Sequence, residues 1–64
     1  MDVYDWAEKM VRAGAKLPGR AVMTDLEEGT VTRVYLRETF WGIAERQADG
    51  FAWRAQIAPE EESL

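Results

Sequence analysis

Chemistry at a protein site usually needs a tuned acid, base, nucleophile or metal ligand. This chain contains neither histidine nor cysteine, so carboxylates, hydroxyls and lysines are what remain. Glu27 and Glu28 stand side by side ahead of Gly29. They could form half of a hard-cation site, but they lack the spaced oxygen ligands that calcium and magnesium take. A solvated turn accounts for them. Ser63 has no neighbouring base, and Gly14, Gly19 and Gly29 are spaced too widely for a phosphate loop. The absence of Cys and His argues against a structural zinc site as well. The expectation is a non-enzyme, with no catalytic residue, no metal and no cofactor.

Recognition chemistry is better represented. Arg33, Tyr35 and Arg37 occupy alternate positions, so on a strand they share one face. Arg54 falls on the same expected outer face, and Arg46 joins it if the register of its strand allows. Arginines around a tyrosine suit a protein interface, where Tyr, Trp and Arg dominate the energetics. They could also stack bases and hold phosphates, or be a solvated face whose arginine stems cover apolar surface. Phe40 and Trp41 are adjacent, so an unbroken strand would send them to opposite faces, whereas a bulge could bury both. Trp41 is the residue taken as a partner anchor. A third group is acidic: Asp2, Asp5 and Glu8 at one end, and Asp25, Glu27 and Glu28 in a turn. Brought together they would form a negative rim suited to a basic groove; apart, they are ordinary solubilising charge.

The elements that must position these residues follow from period and punctuation. From Val3 to about Ala15 the pattern is helical, with Val3, Trp6, Ala7, Met10, Val11 and Gly14 on one arc. Asp2 reads as its N-cap and Asp5 as a capping-box echo. Asp5–Lys9 and Glu8–Arg12 have the favourable i,i+4 order. Leu17-Pro18-Gly19-Arg20 reads as a type II turn, and Arg20 to Leu26 as a first strand. Thr30 to Glu38 alternates, which sends Val34 and Leu36 towards the helix and Arg33, Tyr35 and Arg37 away from it. Ile43 to Gln47 and Phe51 to Ala58 make a hairpin around Ala48-Asp49-Gly50, with Gly50 expected in the left-handed conformation of a three-residue turn. In the last strand Phe51, Trp53, Ala55 and Ile57 share one face, and Ala52, Arg54 and Gln56 the other. Pro59 ends it. The fold class expected is α+β, one N-terminal amphipathic helix on an antiparallel meander of three to four strands. Residues 1–58 form a single domain, and 59–64 an acidic tail.

Totals narrow the partners. A chain of 64 residues is one domain, and one this short buries only about 60% of its unfolded surface. Residues 30–57 hold five of the seven aromatic residues, so this stretch carries the core. The formal charge is −4, which disfavours direct binding to nucleic acid or to anionic membranes. The charge is segregated. Residues 1–29 carry four cations against six carboxylates, residues 30–58 four against three, and the tail adds three glutamates. No apolar run approaches the roughly 20 residues of a membrane span, and the acidic start does not fit a secretory signal. A soluble, cytoplasmic protein is expected.

In size, acidity and two-layer architecture the chain is similar to the small inhibitors of phages and mobile elements, anti-CRISPR proteins among them. The likeness is one of class, carried by no residue signature. It implies a protein that occludes a surface of a larger host protein or protein–nucleic acid complex. Two rivals stand beside this reading: a single-stranded nucleic-acid-binding module using the Arg/Tyr face, and a homo-oligomer, such as a homodimer, joined through open strand edges.

Overall fold

The computed structural model describes residues 1–57. The acidic tail lies outside the described residues. The architecture is the α+β arrangement expected: one short helix on a three-stranded antiparallel meander in the order β1-β2-β3. The strands are β1 (Val31–Leu36), β2 (Thr39–Gln47) and β3 (Gly50–Gln56).

The helical segment is shorter than its periodicity. A 3-10 turn at Asp5–Ala7 leads into α1 (Glu8–Ala13). Asp2 does not cap it. Tyr4 occupies the N-cap position in extended conformation, with no side-chain cap hydrogen bond. Asp2 and Val3 instead lie alongside β1, where Val3 N–H donates to Tyr35 O and Tyr35 N–H to Met1 O. The 100° spacing therefore breaks at residues 3–7, since a 3-10 turn advances about 120° per residue. Val3, Ala7 and Val11 are still buried, but Trp6 swings outward and is 55% exposed, contrary to its expected place in the core. At the other end Gly14 takes φ 69, and its N–H closes on the last helical carbonyls. A left-handed residue here is the commonest way to end a helix, and glycine adopts it without steric cost.

The expected strand over Arg20–Leu26 is absent. Pro18 leads into a 3-10 turn at Gly19–Ala21, so no type II turn forms, and Val22 makes only a single bridge with Val3. The N-terminal strip is thereby held on both sides: Tyr4 N–H donates to Ala21 O and Met23 N–H to Asp2 O. Leu17 sits at the opposite sheet edge, exchanging backbone hydrogen bonds of 2.9 and 2.7 Å with Phe51.

Two irregularities decide which side chains face inward. Between β1 and β2 the register shifts at Val34/Tyr35, leaving Trp41 as an extra residue; between β2 and β3 it shifts at Ile43/Ala44, leaving Arg54. Each bulge reverses the alternation beyond it. The core lies between helix and sheet and includes Val11, Leu17, Val34, Leu36, Trp41, Ala44 and Phe51, with Trp53 packed at its border. Past the second bulge Gln56 turns to the helix side and donates to Val11 O, while Ala55 pairs with Ile43. The expected single face of Phe51, Trp53, Ala55 and Ile57 is therefore split. The β2–β3 turn is also tighter than expected. Gln47 pairs with Gly50, which opens β3 with φ 148 instead of taking a left-handed turn position.

Candidate functional site

The helix covers one side of the sheet and leaves the other open. Cross-strand pairing builds the open face in rows: Val31, Glu45 and Ala52; then Arg33, Ile43 and Ala55; then Tyr35 and Phe40. Directly opposed residues share a face. Val34 and Leu36 point the other way and are buried, so the expected division of β1 holds for Arg33 and Tyr35. A shallow depression of about 320 Å³ lies on this face, lined by Arg33, Tyr35, Phe40 and Ile43. The rings of Tyr35 and Phe40 are tilted at 56° with centroids 5.7 Å apart, an arrangement favoured by the aromatic quadrupoles.

Other expected members of the site go elsewhere. Trp41 is 4% exposed and belongs to the core, because the first bulge turns it inward and leaves Phe40 outside. Phe40, named only as its neighbour, is thus the aromatic residue of the open face. The signal was the adjacency itself: neighbouring side chains on a strand point to opposite faces, so one of the two rings was due to face outward. Arg37 is not on the face either. It sits in the two-residue β1–β2 turn with φ 50, followed by Glu38 at φ 69. Positive φ at both central positions suits the twist of a tight hairpin. From there its guanidinium reaches the helical segment, 2.9 Å from Glu8 and 3.3 Å from Asp5. Arg46 belongs to the core side, paired with Phe51, its guanidinium over the Phe51 ring and 3.6 Å from Asp25. Arg54 lies on the open face as expected, bound there to Glu45.

The acidic group is dispersed. Asp5 and Glu8 are matched by Arg37, and Glu8 also by Arg12 at 2.7 Å, the i,i+4 pair read from the sequence; Asp5 pairs with Arg37 rather than Lys9. Asp25 faces Arg46. Glu27 and Glu28 are exposed in a turn closed by Thr30 N–H to Glu27 O. Among the described residues no group of three acidic ligands converges, and no helix is long and apolar enough to cross a membrane.

Arg12, Glu8, Arg37 and Asp5 form a chain of charge that ties the β1–β2 turn to α1. The hydrogen bond from Arg12, and then that from Arg37, hold the Glu8 carboxyl below its ordinary value of 4.5, while Glu8 raises Arg37 further above its own. A carboxylate depressed on folding stabilises above its unfolded value, and that stabilisation is lost as pH falls through its folded value. Glu8→Gln should therefore lower the urea midpoint by a constant amount above pH 4.5. The gap from the parent should close as the pH is taken below that value. A gap that persists unchanged at lower pH would show that the carboxylate charge is not what Glu8 contributes.

Comparison with protein-family models, with curated proteins and with solved structures finds no match to this chain.

Proposed function

We propose that the chain is a non-enzymatic binding module that docks on a larger protein through the open face of its sheet. The observation carrying this reading is the depression bounded by Arg33, Tyr35, Phe40 and Ile43, on a face that no element among the described residues covers. Aromatic and arginine side chains around a recess are what interface hot spots are made of, and Val31 extends the apolar surface beyond it. Occluding a working surface of the partner is how an inhibitor or adaptor of the phage and mobile-element kind would act. The test compares capture by the parent, by Ile43→Asp, and by Lys9→Glu on the helix. A stoichiometric protein retained from a host lysate by the parent and by Lys9→Glu should be lost from Ile43→Asp, with affinity down at least ~30-fold for a hot-spot loss of about 2 kcal/mol. Capture that survives Ile43→Asp while circular dichroism stays native removes the reading.

One observation favours a second reading. An aromatic pair beside an arginine on an open sheet could stack the bases of a single strand. That reading predicts salt-sensitive anisotropy shifts with short oligonucleotides, weakened in Tyr35→Ala. Joining through strand edges has less support, because residues 1–3 lie along β1 and Leu17 lies beside the start of β3.

A further inference from the structure

We infer that the segment received by the open face carries an apolar side chain with a carboxylate one or two residues away, Arg33 taking the carboxylate while Tyr35, Phe40 and Ile43 seat the apolar group. This rests on the reading of that face as the docking surface, and it specifies the chemistry of the partner.

The first argument is charge commitment. Arg12, Lys16, Arg37, Arg46 and Arg54 each reach a carboxylate within the chain. Arg33 has no side-chain partner among the described residues, although it lies in the middle row of the open face, opposite Ile43. The one acid of that face among the described residues, Glu45, is taken by Arg54. Among the described residues the face therefore presents a single uncommitted guanidinium beside an apolar recess. A guanidinium fits a carboxylate through two parallel hydrogen bonds, and both groups gain when the surrounding surface is dried by an apolar contact.

The second argument is spacing. Arg33 and Tyr35 are two residues apart on one strand, so their side chains rise roughly 7 Å from each other. In an extended partner segment, side chains two apart have the same separation, and neighbouring ones are closer. The anion and the apolar anchor must therefore be near neighbours in the partner's sequence.

The same facts discriminate against other occupants. A nucleic acid gains affinity from several neutralised phosphates, whereas the described residues of this face offer one uncommitted guanidinium, on a chain of net charge −4. A second copy pairing face to face would bring Arg33 against a surface whose only carboxylate among the described residues is already paired.

The experiment is random-peptide display selected on the immobilised full chain, run in parallel on the parent, Arg33→Glu and Ile43→Asp, each first shown native by circular dichroism. The parent should enrich peptides with Asp or Glu within two residues of an aromatic or aliphatic side chain. Arg33→Glu should keep the apolar preference but exchange the acid for Lys or Arg, and should bind the parent's peptides at least ~10-fold more weakly. Ile43→Asp should enrich nothing in common with the parent. Apolar anchors without an acidic bias, or a bias unmoved by Arg33→Glu, would overturn the carboxylate assignment and leave the docking face standing. Peptides that survive Ile43→Asp, or a parent that selects none, would sink the docking face itself. A parent that selects no peptide but retains a short oligothymidylate, lost in Arg33→Glu, would replace this inference with the nucleic-acid reading.

Discussion

Gly50→Ala is expected to leave most of the chain unfolded at room temperature. Gly50 opens β3 at φ 148, and a Cβ added there would stand 2.2 Å from the carbonyl oxygen of Leu17. Leu17 cannot yield without consequence. Its N–H and carbonyl are both bonded to Phe51, and Leu17 and Phe51 are the two largest fully buried side chains. The variant must therefore strain the backbone at position 50, push the Leu17 segment off the sheet edge, or both. A side chain forced into this region of φ costs about 1–3 kcal/mol, and overpacking costs about 1–3 kcal/mol more. A single core in a chain this short rarely supplies more than about 3–5 kcal/mol in total. Far-ultraviolet circular dichroism with urea titration reads the outcome. A folded variant with an unchanged midpoint would mean that Leu17 does not lie where the Phe51 bridge puts it.

The second large effect separates two neighbours. Trp41→Ala should cost about 3–5 kcal/mol, the usual loss for an emptied aromatic core site, and so should also unfold the chain. Phe40→Ala removes a half-buried ring that touches Tyr35 from the open side and should cost about 1 kcal/mol, the scale of one cross-strand aromatic pair. Trp41 has a further partner to lose, since the Arg12 guanidinium lies 5.2 Å from its ring centre. Equilibrium urea unfolding of the two variants side by side measures the difference. If Phe40→Ala proved the more damaging, the bulge would have to lie on the other side of Trp41 and the open face would lose its aromatic pair.

How far the sequence could be read depended on whether a period ran unbroken. β1 has no irregularity of its own, and there the alternation of Val34 and Leu36 against Arg33 and Tyr35 was legible in full. The meander and its helix were legible too, because turn residues and a run of amphipathic spacing announce them. Trp6 was misplaced because a 3-10 turn and an extended strip at residues 2–4 interrupt a pattern that looks continuous. Trp41 and the far half of β3 were misplaced because one extra residue per bulge reverses inside and outside, and nothing in the residue types marks where that residue falls. Arg37 was assigned to a strand face because alternation does not show where a strand stops. Its attraction to Glu8 and Asp5 arises only once the hairpin has folded back over the helix. Of the candidate site, Arg33, Tyr35 and Arg54 were visible beforehand, while Phe40 and Ile43 emerged from the register.

The strip at residues 1–3 and the lone bridge at Leu17 bear on how divisible the molecule is. The meander looks like a unit that could be excised, since its three strands are contiguous in sequence. Cut out, it would lose Val3 and Val22 from one flank, Leu17 from the other, and Ala7 and Val11 from its roof, all of them buried. What remained would be a naked ribbon with two unprotected borders and its Trp41 side in water, the state in which small sheets aggregate. The first part of the chain is thus scaffolding for the second, and the meander presents its open face only with that scaffold in place.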